Sequence, residues 1–446
     1  MGTETEAAVP ASFRPIRIVQ VELGEPLAAL QSAEDASGWP YERGLALVRL
    51  HGQPIGAVDL DLAGGTLESD VLLARIRAGL GEEIARHLRA DGQAELPGRS
   101  DAGTAARPRC RSERDAFLAR APFASVVVAT RDRPDSLTRC LDSMRSLVYP
   151  EFEVVVVDNA PRTDATARLF AARGAAWPNT RYVREDRPGL ASAHNRGVRE
   201  MRLGSPLVAF IDDDVVVDPD WLAELARGFE AAPNVGCVTG MIFPAELETW
   251  PQVLIEQFGG FNKGYHRQVF DLGPHRPPDP LFPYAPGRFG SGANMAFRSA
   301  ALETIGGFDS AIGTGTAALG GDDLAAFVRI VLDGYALVYE PAAIVHHAHY
   351  RDYAALRRQV YGYGVGLTAY LAKTVVDRPS LLVDLLRQAP RGIGYALHPG
   401  SAKNRKKAAD YPAELTALER RGMLYGPIAY ARSRRADRRL RPGGGQ

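Results

Sequence analysis

Short runs of consecutive apolar, largely β-branched residues, each ending on a hydroxyl or acidic side chain, restrict this fold most. They read Val126-Val127-Val128-Ala129-Thr130, Val154-Val155-Val156-Val157-Asp158, and Pro206-Leu207-Val208-Ala209-Phe210-Ile211 before Asp212-Asp213-Asp214. A strand that shows no apolar/polar alternation is covered on both faces, the condition of a parallel sheet wound with helical crossovers. Leu137, Leu141, Met144 and Val148 recur at helical spacing between the first two runs. Arg181–Arg184 reads as a short strand and Leu190–Met201 as a helix. The expected centre of the chain is therefore α/β, over residues 116–350.

The flanks differ. Ile16, Ile18, Val21 and Leu23 roughly alternate with polar residues, and Leu45–Leu62 holds two strand-like runs about a turn at His51-Gly52-Gln53-Pro54. Leu72, Ile76, Leu80, Ile84 and Leu88 follow at helical spacing, before the polar stretch Arg89–Arg120 breaks the pattern. Residues 1–115 are expected to form a small β-rich α+β domain and linker. Residues 351–446 are expected to be helical, with a basic tail at Arg432–Arg441 and flexible glycines at Gly443–Gly445.

Lys and Arg number 53, as do Asp and Glu, so no global field draws the chain to nucleic acid. The odd, widely separated Cys110, Cys140 and Cys237 imply neither a disulfide framework nor a structural zinc site. MGTETEAAVP lacks a basic stretch followed by an apolar one, and no apolar run is long enough to span a bilayer. A cytoplasmic, non-spanning protein is expected. Val360–Ala372 is uncharged between Arg357, Arg358 and Lys373, and a buried helix is favoured there over one lying on a membrane surface. The Lys403–Lys407 and Arg432–Arg441 clusters leave peripheral membrane contact open.

Ligands of an open parallel sheet bind where the strands end, which singles out Thr130, Asp158 and Asp212–Asp214. Three successive carboxylates repel one another, a cost relieved by a divalent cation or by solvent in a plain acidic turn. In extended geometry Asp212 and Asp214 share one side. Asp158 can accept hydrogen bonds from ribose or base, or simply cap a turn. Gly320-Gly321-Asp322-Asp323-Leu324 opens a helix striped by Leu324, Val328, Val331 and Leu332. These aspartates are either caps at the positive end of the helix dipole or a general base behind a glycine hinge. Ile344-Val345-His346-His347-Ala348-His349 places three imidazoles at a strand end, which favours a polar or metal-facing site.

With Gly189–Gly197 and Gly290-Ser291-Gly292-Ala293-Asn294-Met295, these segments stand in the order expected of glycosyltransferase family 2. The chain resembles that family over roughly residues 120–375. The resemblance implies a GT-A-type, mostly parallel sheet flanked by helices, and non-processive, inverting transfer of a sugar from a nucleoside diphosphate, with a UDP-sugar favoured. It implies nucleotide contacts from Thr130, Arg133, Asp158, His194, Asn195, Asp212 and Asp213, and Mg²⁺ or Mn²⁺ held by Asp214 and His347. Asp323 corresponds to the family's catalytic base, and Gly292, Asn294 and Asp322 to the sugar or acceptor side. Two positions depart from the family's usual residues: Asp322, where Glu is usual, and His194, where Arg is usual. The acceptor is expected to be a glycan, lipid-linked or small-molecule hydroxyl.

Three other functions compete. A dinucleotide oxidoreductase needs a glycine-rich first turn, whereas this one reads Thr130-Arg131-Asp132-Arg133-Pro134. Sugar-phosphate nucleotidyltransferases also favour such a loop. A catalytically silent glycan-binding scaffold of the same fold is the non-enzymatic alternative. Processive synthases carry Gln-x-x-Arg-Trp, which Gln359-Val360-Tyr361-Gly362-Tyr363 does not match.

Overall fold

Strands β1 (Ile16–Glu22), β2 (Arg43–Leu50) and β3 (Gln53–Asp61) form one sheet, with β1 parallel to β2 and β2 antiparallel to β3. The turn between β2 and β3 is only His51-Gly52, both at positive φ, and Gln53 and Pro54 already belong to β3. Helix α1 (Ser69–Ala90) lays Leu72, Ile76, Ile84 and Leu88 on this sheet. Leu80, fifth in the same stripe, sits at a kink and is only partly buried. The computed structural model describes residues 9–11, 13–96, 107–401, 403–408 and 410–440.

A helix, α2 (Arg109–Leu118), forms inside the stretch read as patternless, and residue 115 lies within it. Its apolar signal is a single residue, Phe117, which enters the core of the larger sheet. The rest of the helix is polar, so no periodicity announced it.

That larger sheet is built from β4 (Ala124–Thr130), β5 (Phe152–Asn159), β6 (Thr180–Glu185), β7 (Leu207–Asp212), β8 (Val215–Val217), β9 (Val235–Pro244), β10 (Gln268–Phe270), β11 (Asn294–Arg298) and β12 (Ala336–His347). The order is β10-β12-β9-β11-β7-β4-β5-β6, with β8 against β12. Neighbours β7, β4, β5 and β6 are parallel, as are β9 and β12, while β11 runs antiparallel between β7 and β9. The sheet is mixed α/β and mostly parallel, as the apolar runs imply. Every residue of β4 is buried, because helices cover both faces.

The covering helices are α3 (Pro134–Met144), α4 (Ala165–Arg173), α5 (Leu190–Glu200), α6 (Trp221–Gly228), α7 (Trp250–Phe258), α8 (Ser299–Thr304) and α9 (Asp322–Leu332). Val148, expected on the stripe of α3, falls beyond its end and is exposed. Gly197 of α5 lies so close to Val127 of β4 that a Cβ there would collide with the valine.

The C-terminal region is helical, with α10 (Tyr353–Asp377), α11 (Leu382–Leu397) and α12 (Ala413–Leu440). Val360–Ala372 lies in α10, where Val360, Val365, Ala369 and Tyr370 are buried. Glycines bring α10 and α12 together: a Cβ on Gly364 would strike the Glu419 carbonyl, and one on Gly422 the Tyr361 carbonyl. The expected basic tail is helix as far as Leu440, and buried Asp437 near its end pairs with Arg187 and accepts from Ser310 Oγ at 2.7 Å. Arg441, Pro442 and the following glycines lie outside the described residues, as do residues 1–8. No helix among the described residues is long and apolar enough to cross a membrane.

Candidate active site

Strand register sets the site. Thr130 pairs with Asp158 and Ala129 with Asp212, so the acidic ends of β5 and β7 flank the end of β4 on one edge of the sheet. After Asp212 the chain turns directly into β8, whose Val215 pairs with His347. That pairing brings His347 Nε2 to 3.2 Å from Asp214 Oδ1. Asp213 points elsewhere: it accepts from Thr130 Oγ1 at 2.6 Å and from Arg133 at 2.7 Å, and Arg133 also reaches Asp214 at 2.7 Å.

The alternation expected along the triplet is what separates these partners. Donor atoms of Asp212, Asp214 and His347 lie within 4.8 Å of one another. Two carboxylate oxygens and one imidazole nitrogen fit Mg²⁺ or Mn²⁺.

Electrostatics divide the three acids. Burial, reinforced by the charge of Asp214, pushes the Asp212 carboxyl up to about 7, and burial pushes Asp213 up to about 6. Asp214 is buried too, yet the charges of His347 and Arg133 outweigh that cost and hold it far below the usual carboxylate range. Burial disfavours the charged His347 ring, but Asp214 overrides it and the imidazole titrates above its ordinary value.

The three imidazoles do not act together. His346 and His347 point to opposite faces of β12, as neighbours on a strand must, and His346 meets Gln20 of β1 at 2.9 Å. His349 instead backs His347, with their Nδ1 atoms 3.1 Å apart, and its Nε2 is 2.7 Å from Glu256 Oε1. Phe261 packs on both rings. This outer shell of Glu256, His349 and Phe261 escaped the sequence reading because Glu256 and Phe261 are remote in the chain and belong to no motif. Such a relay fixes the orientation of a ligating imidazole.

Asp158 is 0% exposed; Tyr182 donates to its Oδ2 at 3.1 Å, and its Oδ1 has no hydrogen-bond partner among the described residues. Burial raises this carboxyl above its ordinary range.

Asp323 lies in the first turn of α9, with Oδ2 accepting from Gly292 N and Oδ1 from Leu324 N, both at 2.8 Å. Gly292 stands two residues before Asn294, which pairs with Ile211 beside Asp212. The carboxylate of α9 is thereby tied to the loop beside the end of β7. Asp322 is buried deeper, its Oδ2 has no hydrogen-bond partner among the described residues and lies 3.8 Å from His194 Nδ1, and burial beside Asp323 raises it well above its ordinary value. Burial raises Asp323 as well.

Four expectations need correction. His194 is 1% exposed between Phe210 and Phe308, and burial lowers its pKa to about 3, so it carries no charge toward a diphosphate. Asn195 is engaged with the Phe308 backbone, donating to its carbonyl at 2.7 Å and accepting from its N–H at 3.0 Å. Asn294 faces inward: it donates to the Met241 and Ala343 carbonyls and accepts from Trp221 Nε1, which uses both N–H donors and one lone pair of the oxygen. Gly321 is no hinge. Its φ of 90° requires glycine, and a Cβ would stand 2.6 Å from the Gly366 carbonyl of α10.

Residues 125–306 match the family described as glycosyl transferase family 2. That stretch, less than half of the chain, is similar to a family 2 glycosyltransferase domain. It covers β4 through α8 and stops short of Asp323 and His347.

A pre-mycofactocin glycosyltransferase of Mycobacterium tuberculosis is 28% identical to the chain over 262 residues, 58% of this chain and 49% of that protein. An uncharacterised protein of Sinorhizobium fredii is 32% identical over 124 residues, 27% of this chain and 13% of that one. The chain thus spans less than half the length of these curated relatives. Among solved structures, a mannosyltransferase from Pyrobaculum calidifontis in complex with GDP-Man and Mn²⁺ is 20% identical, with a TM-score of 0.45, covering 82% of this chain and 98% of that one.

Proposed function

We propose that the chain is a metal-dependent, inverting glycosyltransferase that moves one sugar from a nucleoside diphosphate, with a UDP-sugar favoured, to the hydroxyl of a glycan, lipid-linked or small-molecule acceptor. The family 2 domain supports a nucleotide-sugar donor. The observation that carries the reading is the joining of two groups on one sheet edge: the Asp212, Asp214 and His347 donor set, and the Asp323 carboxylate tethered beside it through Gly292. In this reading residues 116–350 are the transferase unit, 1–115 an accessory unit and 351–446 a helical extension.

Asp158, with one unpartnered buried oxygen, would accept a base N–H. Asp214, His347 and Asp212 would hold Mg²⁺ or Mn²⁺, which when bound neutralises charge on the departing diphosphate. Asp323 would take the proton of the acceptor hydroxyl as that oxygen attacks the anomeric carbon. The bond from that carbon to the phosphate oxygen breaks, and the diphosphate leaves with the electron pair. The backbone N–H groups of Gly292 and Leu324 hold the base in place. A single displacement of this kind inverts the anomeric centre.

Incubation with a panel of nucleotide sugars and Mn²⁺ or Mg²⁺ is expected to release nucleoside diphosphate from one donor class, and chelator is expected to stop it. No release from any donor would leave the silent glycan-binding scaffold instead. Release that chelator does not touch would remove the metal from the mechanism.

A membrane-surface acceptor site gains support from α11. Leu382, Leu386, Ile393 and Leu397 lie within one narrow helical face and are exposed, as are Leu424 and Ile428 of α12. Residues 378–440 contain fourteen Lys or Arg against five Asp or Glu, in a chain of zero net charge. An apolar face in a basic surround suits an anionic bilayer. The full chain is expected to float with vesicles containing phosphatidylglycerol, more weakly at high salt, and Leu386→Asp is expected to sink it. No flotation at low salt, or equal flotation of the variant, would refute the attachment.

A further inference from the structure

A second cluster of metal-ligating side chains lies outside the transferase site. His51 comes from the β2–β3 turn, His87 from the last turn of α1, Asp91 from the residue that ends α1, and Cys110 from the first turn of α2. Their donor atoms all lie within 4.8 Å of one another. Three of them converge on one oxygen: Asp91 Oδ2 is 2.6 Å from His51 Nδ1, 3.1 Å from His87 Nε2 and 3.0 Å from Cys110 Sγ. Cys110 Sγ is also 3.8 Å from His87 Nε2.

The turn is built for this arrangement. His51 adopts φ 58°, a conformation rare for a residue with a side chain, and Glu22 fixes it by accepting from the His51 and Gly52 N–H groups at 2.8 and 3.0 Å. The His51 ring and the Asp91 carboxylate are almost fully buried.

We propose that His51, His87, Asp91 and Cys110 form a tetrahedral Zn²⁺ site that locks the N-terminal sheet to the transferase domain. A sulfur donor with two imidazoles selects zinc over Mg²⁺ or Mn²⁺. Bonds of about 2.0–2.3 Å put tetrahedral ligand atoms about 3.4–3.6 Å apart; the 3.1 and 3.8 Å separations of His87 Nε2 from Asp91 Oδ2 and Cys110 Sγ lie near that range, and Asp91 Oδ2 would draw back from His51 Nδ1 and Cys110 Sγ, now at 2.6 and 3.0 Å, to admit the ion.

Charge also balances: a thiolate and a carboxylate cancel Zn²⁺, which leaves a neutral centre suited to burial. Cys110 loses its proton to solvent as the S–Zn bond forms. Burial lowers the pKa of His87, which keeps a lone pair available.

The cysteine spacing gave no hint of zinc, since only one cysteine takes part and its partners are 19, 23 and 59 residues away. Through Cys110 the site would anchor α2. That helix sends Phe117 into the transferase core, and its Arg114 pairs with Asp220 and lies 3.6 Å from Glu224.

The test uses the full chain stripped with chelator and reloaded with Zn²⁺. Cys140 and Cys237 are buried, whereas Cys110 is partly accessible, so iodoacetamide labelling located by peptide mass reports on Cys110. Zinc is expected to slow that labelling at least tenfold, in Asp214→Asn as in the unaltered protein. Co²⁺ is expected to give a thiolate charge-transfer band that is lost in Cys110→Ser. Unchanged labelling with zinc, or an unchanged Co²⁺ spectrum in Cys110→Ser, would overturn the site. The labelling experiment needs no substitution at the cluster, so a poorly folded variant cannot obscure its result.

Discussion

Asp323→Asn is expected to lower kcat by about 10³-fold, within the range for loss of a general base, while nucleotide-sugar affinity changes by less than about threefold. Asparagine keeps the size of the side chain and an acceptor for one of the two N–H groups, Gly292 or Leu324, that the carboxylate serves with separate oxygens. What disappears is a site for the acceptor proton, needed only as the new bond forms. Steady-state turnover together with equilibrium nucleotide binding separates the two effects, and wild-type turnover in the variant would take the base role away from Asp323.

On the proposed function, the unaltered protein is expected to show a corresponding pH signature. Burial raises the Asp323 pKa, and a base works only when deprotonated. Its rate should therefore decline as pH falls through that raised value, with an acid limb above the ordinary carboxylate range.

Asp214→Ala is expected to weaken metal-dependent donor binding roughly 100-fold, at the upper end of what outer-shell changes do to metal affinity. The carboxylate lies 3.2 Å from the His347 imidazole and 2.7 Å from the Arg133 guanidinium, and these neighbours hold its pKa down while burial raises those of Asp212 and Asp213. Calorimetric titration of nucleoside diphosphate with and without Mn²⁺ is the measurement. In the variant the two titrations should nearly coincide, and a metal effect as large as in the unaltered protein would exclude Asp214 as the principal ligand.

Those two residues were legible because local sequence determines their position. The buried strand β7 ends on Asp212, and a glycine turn before α9 leaves Asp323 in its first turn. His194, Asn195 and Asn294 came instead from the family resemblance, and their orientation depends on partners far away in the chain. Phe308 and Phe210 enclose the His194 ring, the Phe308 backbone holds Asn195, and Trp221 with two strand carbonyls takes up Asn294. His346 was grouped with His347 although strand alternation separates them, a period-two rule already available in the sequence. The α2 helix and the His51 cluster had no periodicity or spacing to announce them; tertiary contact alone assembles both.

The Gly321 backbone lies flush against Gly366 of α10, and α12 in turn braces α10 through Gly364 and Gly422. The aspartate pair of α9 therefore rests on a buttress drawn from the last hundred residues. A fragment trimmed to the family 2 match would retain the acidic triplet and the β9-β11-β7-β4-β5-β6 part of the sheet but omit β12, Asp323, His347 and this support. On the proposed function, α10 and α12 are the backing against which the Asp322-Asp323 turn is set, and residues such as Leu319, packed near Gly362, are places where that backing can be reshaped to alter acceptor choice.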